Sequence, residues 1–183
     1  MLSRFLIISV QNRTNDWYSI VLTKVQVARG FMDVDIQVNP AYRFCLMNAH
    51  LKSKVYSSLG QTEMRRNEAR LLNKAVCNIL EENLDINLLV VGDMNDDYAS
   101  VPLREVAGCR GGKLIDLRSV DSSGDAWTYF QVATDSHSRF DYLFVSEGMK
   151  PKVIEERIRA VRDPLTCTTS DHRPVIGVFR AAE

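Results

Sequence analysis

Three short polar clusters hold the side chains from which chemistry could be assembled. In Asn48-Ala-His50-Leu-Lys52, the two-residue period of a strand places Asn48 and His50 on one face, at the strand's C-terminal end. In Gly92-Asp-Met-Asn95, the same period groups Asp93 with Asn95 directly after an apolar run. In Ser170-Asp-His-Arg-Pro174, a carboxylate and an imidazole adjoin just ahead of a further strand. A fourth stretch, Arg139-Phe-Asp-Tyr-Leu-Phe144, sets Asp141 inside an apolar strand, where a carboxylate is costly unless paired. Each has a plain structural explanation when taken singly. Gly, Asp and Asn favour turns, Asp171-His172 could share a loop hydrogen bond, and Asp141 could hold a neighbouring arginine. Together, two histidines, three aspartates and two amides at strand ends make the inventory of a metal-assisted phosphoesterase.

The elements that must carry these groups are read from periodicity. Met32, Val34, Ile36 and Val38 alternate with polar residues, which predicts a half-buried strand; Asn39-Pro40 breaks it, and Tyr42–Ala49 follows as its hairpin partner. Met64, Leu71, Leu72, Ala75, Val76, Ile79 and Leu80 recur at helical spacing across Gln61–Leu80, with Arg65, Arg66, Arg70 and Lys74 largely off that stripe. Ile86–Val91 is an apolar run of strand length, as expected for a strand covered on both faces. Arg139–Val145, Pro174–Phe179 and a shorter Trp127–Phe130 read as further strands. A buried strand after a long helix requires helix layered on sheet, an α/β architecture.

A chain of 183 residues with 45% hydrophobic and 25% charged residues fits a single globular domain, 1–183, with ample core. Its apolar runs are too short for a membrane-spanning helix. Lys+Arg 23 balances Asp+Glu 23, so bulk charge draws no polyanion, and with aromatics at 8% a non-catalytic nucleic-acid-binding module is disfavoured. The balance hides an asymmetry: seven basic against two acidic residues from Arg43 to Lys74, then six acidic and no basic from Glu81 to Asp97. That order suits a phosphate site beside carboxylates, as it suits solvated faces. Cys45, Cys77, Cys109 and Cys167 show no C-x-x-C spacing and read as free thiols. The N-terminus has no signal-peptide pattern, so the expected location is cytoplasmic as written, or secreted if an upstream segment with a signal peptide has been lost.

Asn-x-His-Leu-Lys-Ser, Gly-Asp-x-Asn, Arg-x-Asp-Tyr-Leu-Phe-Val-Ser and Ser-Asp-His-x-Pro-Val, in this order, resemble the endonuclease/exonuclease/phosphatase superfamily, the deoxyribonuclease-I-like fold. Leu2-Ser-Arg-Phe and Arg29-Gly30 resemble flanking family segments, so the resemblance spans essentially the whole chain. It implies a four-layer α/β/β/α sandwich with the site at one rim between two sheets. It implies Mg2+ or Mn2+, with Asp171 as ligand and Asp93 and Asn95 beside it. Asp93 would activate or position the attacking water, and Asn95 would orient the water or the phosphate. His172 would contact the scissile phosphate, held in its tautomer by Asp141, and His50 would face the phosphate from the other side with Asn48 near it. His137 matches no motif and reads as a solvated loop residue.

The resemblance has gaps. Met94 stands where Phe is usual and Leu6 where Pro is usual. The family's upstream Asn and its principal metal-binding Glu find no match, and neither Glu63 nor Glu68 fits the latter's motif. The chain thus resembles an N-terminally incomplete member missing its first strands, with self-association expected through an exposed sheet edge. The expected function is divalent-metal-dependent hydrolysis of a phosphodiester or phosphomonoester, on nucleic acid or a small phosphorylated molecule. The alternative is a catalytically silent remnant that serves as a binding scaffold.

Overall fold

The computed structural model describes residues 1–109 and 112–182. Its main element is a six-stranded sheet ordered β1-β4-β5-β6-β10-β7, made of β1 (Leu6–Arg13), β4 (Phe31–Asn39), β5 (Tyr42–His50), β6 (Leu88–Asp93), β10 (Asp141–Val145) and β7 (Ile115–Asp116). Only β5 and β6 run parallel, and a parallel pair needs a long crossover. The crossover here is the helix α1 (Gln61–Glu82). Strand alternation sorts the core into two layers. Cys45, Met47, Ala49, Leu88, Val90, Tyr142 and Phe144 point to one side, where they pack under α1 and α2 (Val101–Ala107). Leu46, Leu89, Val91, Leu143 and Val145 point to the other and meet Met149, Val153, Ile158, Val175 and Phe179. That second layer carries the short antiparallel pair β11 (Arg159–Ala160) and β12 (Val175–Ile176). Two small hairpins complete the strands: β2 (Trp17–Ile20) with β3 (Thr23–Gln26), and β8 (Tyr129–Gln131) with β9 (Ser136–Ser138). A last turn of helix, α3 (Thr166–Thr169), precedes β12.

The α/β reading holds, with departures that have physical causes. α1 spans the predicted residues, yet Arg65 and Glu68 lie on its buried face, 2% and 1% exposed, among Ala69, Leu72, Val76 and Leu80. Their side chains satisfy loop groups that periodicity cannot show. α2 starts where the Ser100 hydroxyl accepts from the Leu103 N–H, a cap ahead of Pro102. The expectation of four free thiols is corrected: Cys77 on α1 is bonded to Cys109 beyond α2, tying the two helices together. Cys45 is a buried free thiol, pushed up to about 12 by burial and then by Asp35 and Asp33. The side chain of Cys167 lies outside the description. Pro174–Phe179 forms a strand over Val175–Ile176 alone. The sheet ends on one side at β1, where Leu6, Ile8 and Val10 are exposed. No described helix is long and apolar enough to cross a membrane.

The register of three central strands decides where chemistry can occur. His50 on β5 is the Cα partner of Asp93 on β6, and Asp93 is the partner of Asp141 on β10. One rung below, Ala49 faces Gly92 so closely that a Cβ on Gly92 would stand 1.8 Å from the Ala49 carbonyl oxygen, and Gly92 has φ +138. Only glycine meets both conditions. Gly92→Ala must therefore push β5 away from β6 at the rung beside the polar groups. The expected loss is about 2–4 kcal/mol of unfolding free energy, read from the midpoint of a urea transition at constant slope. A variant as stable as the parent would show that the two backbones do not approach in this way.

Candidate active site

Because His50, Asp93 and Asp141 occupy equivalent positions on adjacent strands, their side chains emerge on one face at one end of the sheet. His50 Nε2 lies 3.2 Å from Asp93 Oδ2. His172, delivered from the segment between α3 and β12, brings Nε2 to 3.9 Å from the same oxygen and Nδ1 to 2.7 Å from Asp141 Oδ2. One carboxylate oxygen thus stands between two imidazoles, and the second imidazole is backed by its own carboxylate. All four are partly open to solvent, with side-chain exposures between 15% and 43%. The hydrogen bond to Asp141 raises the pKa of His172 above its ordinary value, against a desolvation cost and with further help from Asp141, Asp93 and Asp171 as charges. When protonated, the ring has both nitrogens as donors: Nδ1 toward Asp141 Oδ2 and Nε2 on the side of Asp93 Oδ2.

The surroundings hold these groups in place. Asp93 Oδ1 accepts from the Asn95 N–H at 2.8 Å, and Asn95 Nδ2 donates to the Leu51 carbonyl at 3.0 Å. Asn95 is buried with φ +52, a conformation Asn tolerates better than most residues. The loop after β6 is therefore stitched to the loop after β5. Arg65 reinforces both, with Nε on Asp96 Oδ2 at 2.9 Å and Nη1 on the Lys52 carbonyl at 3.1 Å. Glu68 accepts from the Lys52 and Ala28 N–H groups at 2.6 and 2.9 Å. Burial raises its carboxyl pKa, opposed by those N–H groups and by the Arg29 and Lys52 charges. The buried Thr128 hydroxyl accepts from the Phe140 and Asp141 N–H groups, each at 3.0 Å, which anchors the start of β10. Arg139 forks onto Asp116 at 2.7 and 2.5 Å, so the arginine two residues before Asp141 leaves it free for His172.

His172 is fixed from its far side by Arg173. This guanidinium donates to the Val161 and Trp127 carbonyls at 3.0 Å each and to Asp121 Oδ2 at 2.9 Å. Burial alone would raise the Asp121 carboxyl, but the Asp125 and Ser123 N–H groups and Arg173 outweigh it and hold the pKa at about 2. The Tyr129 ring lies 4.9 Å from the His172 ring.

Of the residues singled out from sequence, His50, Asp93, Asp141 and His172 meet, and Asn95 supports them. β6 ends at Asp93, so Asn95 does not continue the strand face; its side-chain nitrogen donates to the Leu51 carbonyl. Asn48 is exposed on the same strand face as His50, one turn of the pleat away. Asp171 is exposed, and its carbonyl accepts from the Phe130 N–H at 3.0 Å. Among the described residues, no group of three His, Cys, Asp or Glu side chains converges as a metal ion requires. Asn95 Nδ2 is engaged with Leu51, which leaves the Asp93 oxygens and the Asn95 amide oxygen as the donors that would hold the expected Mg2+ or Mn2+. Arg65, Glu68, Thr128 and Asp121 escaped sequence reading. A hint existed for Arg65 and Glu68 alone, whose spacing matches the apolar stripe of α1.

A profile of the Endonuclease/Exonuclease/phosphatase family matches residues 41–172. Comparison with curated protein sequences finds no match. Among solved structures, the human Nocturnin catalytic domain with bound sulfate superposes with a TM-score of 0.66 at 20% identity, covering 97% of this chain and 60% of that one. The Neisseria 3′ phosphatase NExo bound to product DNA hairpin gives 0.65 at 18% identity, covering 97% and 73%. A Staphylococcus aureus beta toxin variant with bound magnesium ions gives 0.56 at 17% identity, covering 82% and 58%. The chain thus spans about 60% of the length of the Nocturnin domain it resembles.

The Asp141–His172 contact can be tested by titration. Since the folded pKa of His172 is raised, the stability this pairing contributes is fully present below about pH 6.5, the ordinary histidine value, and is lost as pH rises through the raised one. In Asp141→Asn, the His172 resonances should titrate at lower pH than in the parent, and the matching pH-dependent part of the unfolding free energy should shrink. An unchanged His172 midpoint by NMR would refute the pairing.

Proposed function

The chain belongs to the endonuclease/exonuclease/phosphatase family, and from that membership we propose that it hydrolyses phosphate esters at the His50–Asp93–His172 cluster. One observation carries this reading: a single carboxylate oxygen is flanked by two imidazoles at 3.2 and 3.9 Å, and the second imidazole is held by Asp141 at 2.7 Å. Water needs a base and a fixed position, and a phosphoryl group needs positive charge where its oxygens gain electron density. Asp93 serves the first need, with its other oxygen tied to the Asn95 N–H so that it cannot swing away. It accepts the water's proton while the water oxygen bonds to phosphorus and the ester P–O bond breaks; the departing oxygen takes its proton from solvent. His172, whose protonated form Asp141 favours, serves the second need, and His50 faces it across Asp93 Oδ2. Asp141 is a positioning residue, acting through His172.

A magnesium-bound neighbour and the sequence resemblance favour a divalent cation, so Mg2+ and Mn2+ belong in every assay. The chemistry above uses only the chain's own side chains. The substrate class, nucleic acid or small phosphorylated molecule, is part of the proposal.

Asp93→Asn keeps the shape of the side chain and removes its basic charge. Turnover of bis(p-nitrophenyl) phosphate should fall by about two to four orders of magnitude, roughly 3–5 kcal/mol of barrier, with the thermal unfolding profile unchanged. Near-parental turnover in Asp93→Asn would contradict the assignment. A parent chain inert toward every ester tried, with either cation, would favour the binding-scaffold alternative.

A further inference from the structure

Beside His172 lies a cavity of about 510 Å³, within the range of small-ligand sites, with Trp127, Phe130, His137, Thr168, Thr169 and His172 on its walls. We propose that it is a subsite for a planar heteroaromatic ring, such as a nucleobase, carried by the phosphate ester; this rests on the phosphoesterase reading above.

The β8–β9 hairpin builds the wall. Phe130 and His137 are Cα partners across it, and their rings stack at 4.7 Å with 28° between planes. The His137 ring also lies 4.5 Å from Trp127. Strand alternation links this wall to the chemistry, because Tyr129, next to Phe130, sends its ring to within 4.9 Å of His172. His137, which sequence reading leaves as a solvated loop residue, is thus an exposed imidazole built into an aromatic face next to the phosphate-facing one.

The charges around the cavity choose among ring, alkyl and cationic occupants. An aromatic cluster could in principle hold a quaternary ammonium by cation–π attraction. Here the Arg173 guanidinium already sits 4.1 Å over the Trp127 ring. A cationic headgroup is repelled by that guanidinium, and a plain alkyl group would leave the stacking faces unused. Also on the lining, the Thr168 and Thr169 hydroxyls donate to the Leu165 carbonyl at 2.8 and 3.1 Å. Their protons are committed, so what they offer a ligand is acceptor lone pairs, suited to N–H groups on a ring edge.

The test is binding by calorimetry of adenosine 5′-monophosphate, ribose 5-phosphate and phosphocholine, which share a phosphate and differ in what it carries. Adenosine 5′-monophosphate should bind at least about tenfold more tightly than ribose 5-phosphate, with phosphocholine no tighter than ribose 5-phosphate. In the Phe130→Leu, His137→Ala double variant that preference should fall to about onefold. In the unsubstituted chain, the His137 ring protons should shift upfield with the nucleotide and stay put with ribose 5-phosphate, a readout that needs no variant to fold. Equal affinity for the first two ligands, tightest binding of phosphocholine, or full preference in the double variant would overturn the subsite. A ring preference without turnover of any ester would sink the hydrolysis reading and leave the subsite standing; turnover without ring preference would do the reverse.

Discussion

His50, Asp93 and Asp141 act on one another because β5, β6 and β10 are hydrogen-bonded in one particular register. Side chains alternate along a strand, so a slip of one residue in either pairing would turn one of the three to the helical side of the sheet. The same slip would bury a charge among Met47, Val90 and Tyr142. Register is therefore enforced by the whole apolar pattern of the central strands and not by the polar groups, which inherit their places from it. Gly92 permits the close approach of backbones on which that register depends.

Around this rung the chain spends buried polar groups on holding loops. Arg65 and Glu68 on α1 reach into the segments that follow β5 and β6, and the Thr128 hydroxyl holds the start of β10. A buried charge with a missing partner is strongly destabilising, so each of these groups commits its loop to one geometry. The links from α1 to α2, through Arg66 and Arg70 on Glu105 and through the Cys77–Cys109 bond, keep the helical layer in one piece over the loops that follow β5 and β6. Asp121 and Arg173 do the same for the segment that delivers His172.

Much of this was legible in the sequence because it rests on local pattern. The alternation of Met32–Val38, the stripe of α1 and the apolar run ending at Val91 depend on neighbours a few residues apart, and all three elements formed. The polar clusters at strand ends could be found because strands place their C-terminal residues at the sheet's rim. What stayed hidden depends on long-range partners. Arg65 and Glu68 lie in line with the apolar stripe of α1, but charged side chains there read as solvated until the loops they satisfy are folded over them. Cys77 and Cys109 are 32 residues apart, and only the packing of α1 against α2 brings them together. Asn95 looked like a strand residue, because its left-handed backbone is set by contacts with Asp93 and Leu51. His137 looked isolated, because its role depends on the β8–β9 pairing.

In the proposed function, His50, Asp93 and His172 form one phosphate-facing site from three separate chain segments. Addition of inorganic phosphate to the folded chain, followed through the imidazole resonances by NMR, tests it most directly. His50 and His172 should shift together along a single binding curve. Movement of one imidazole without the other, or two curves with different midpoints, would contradict it.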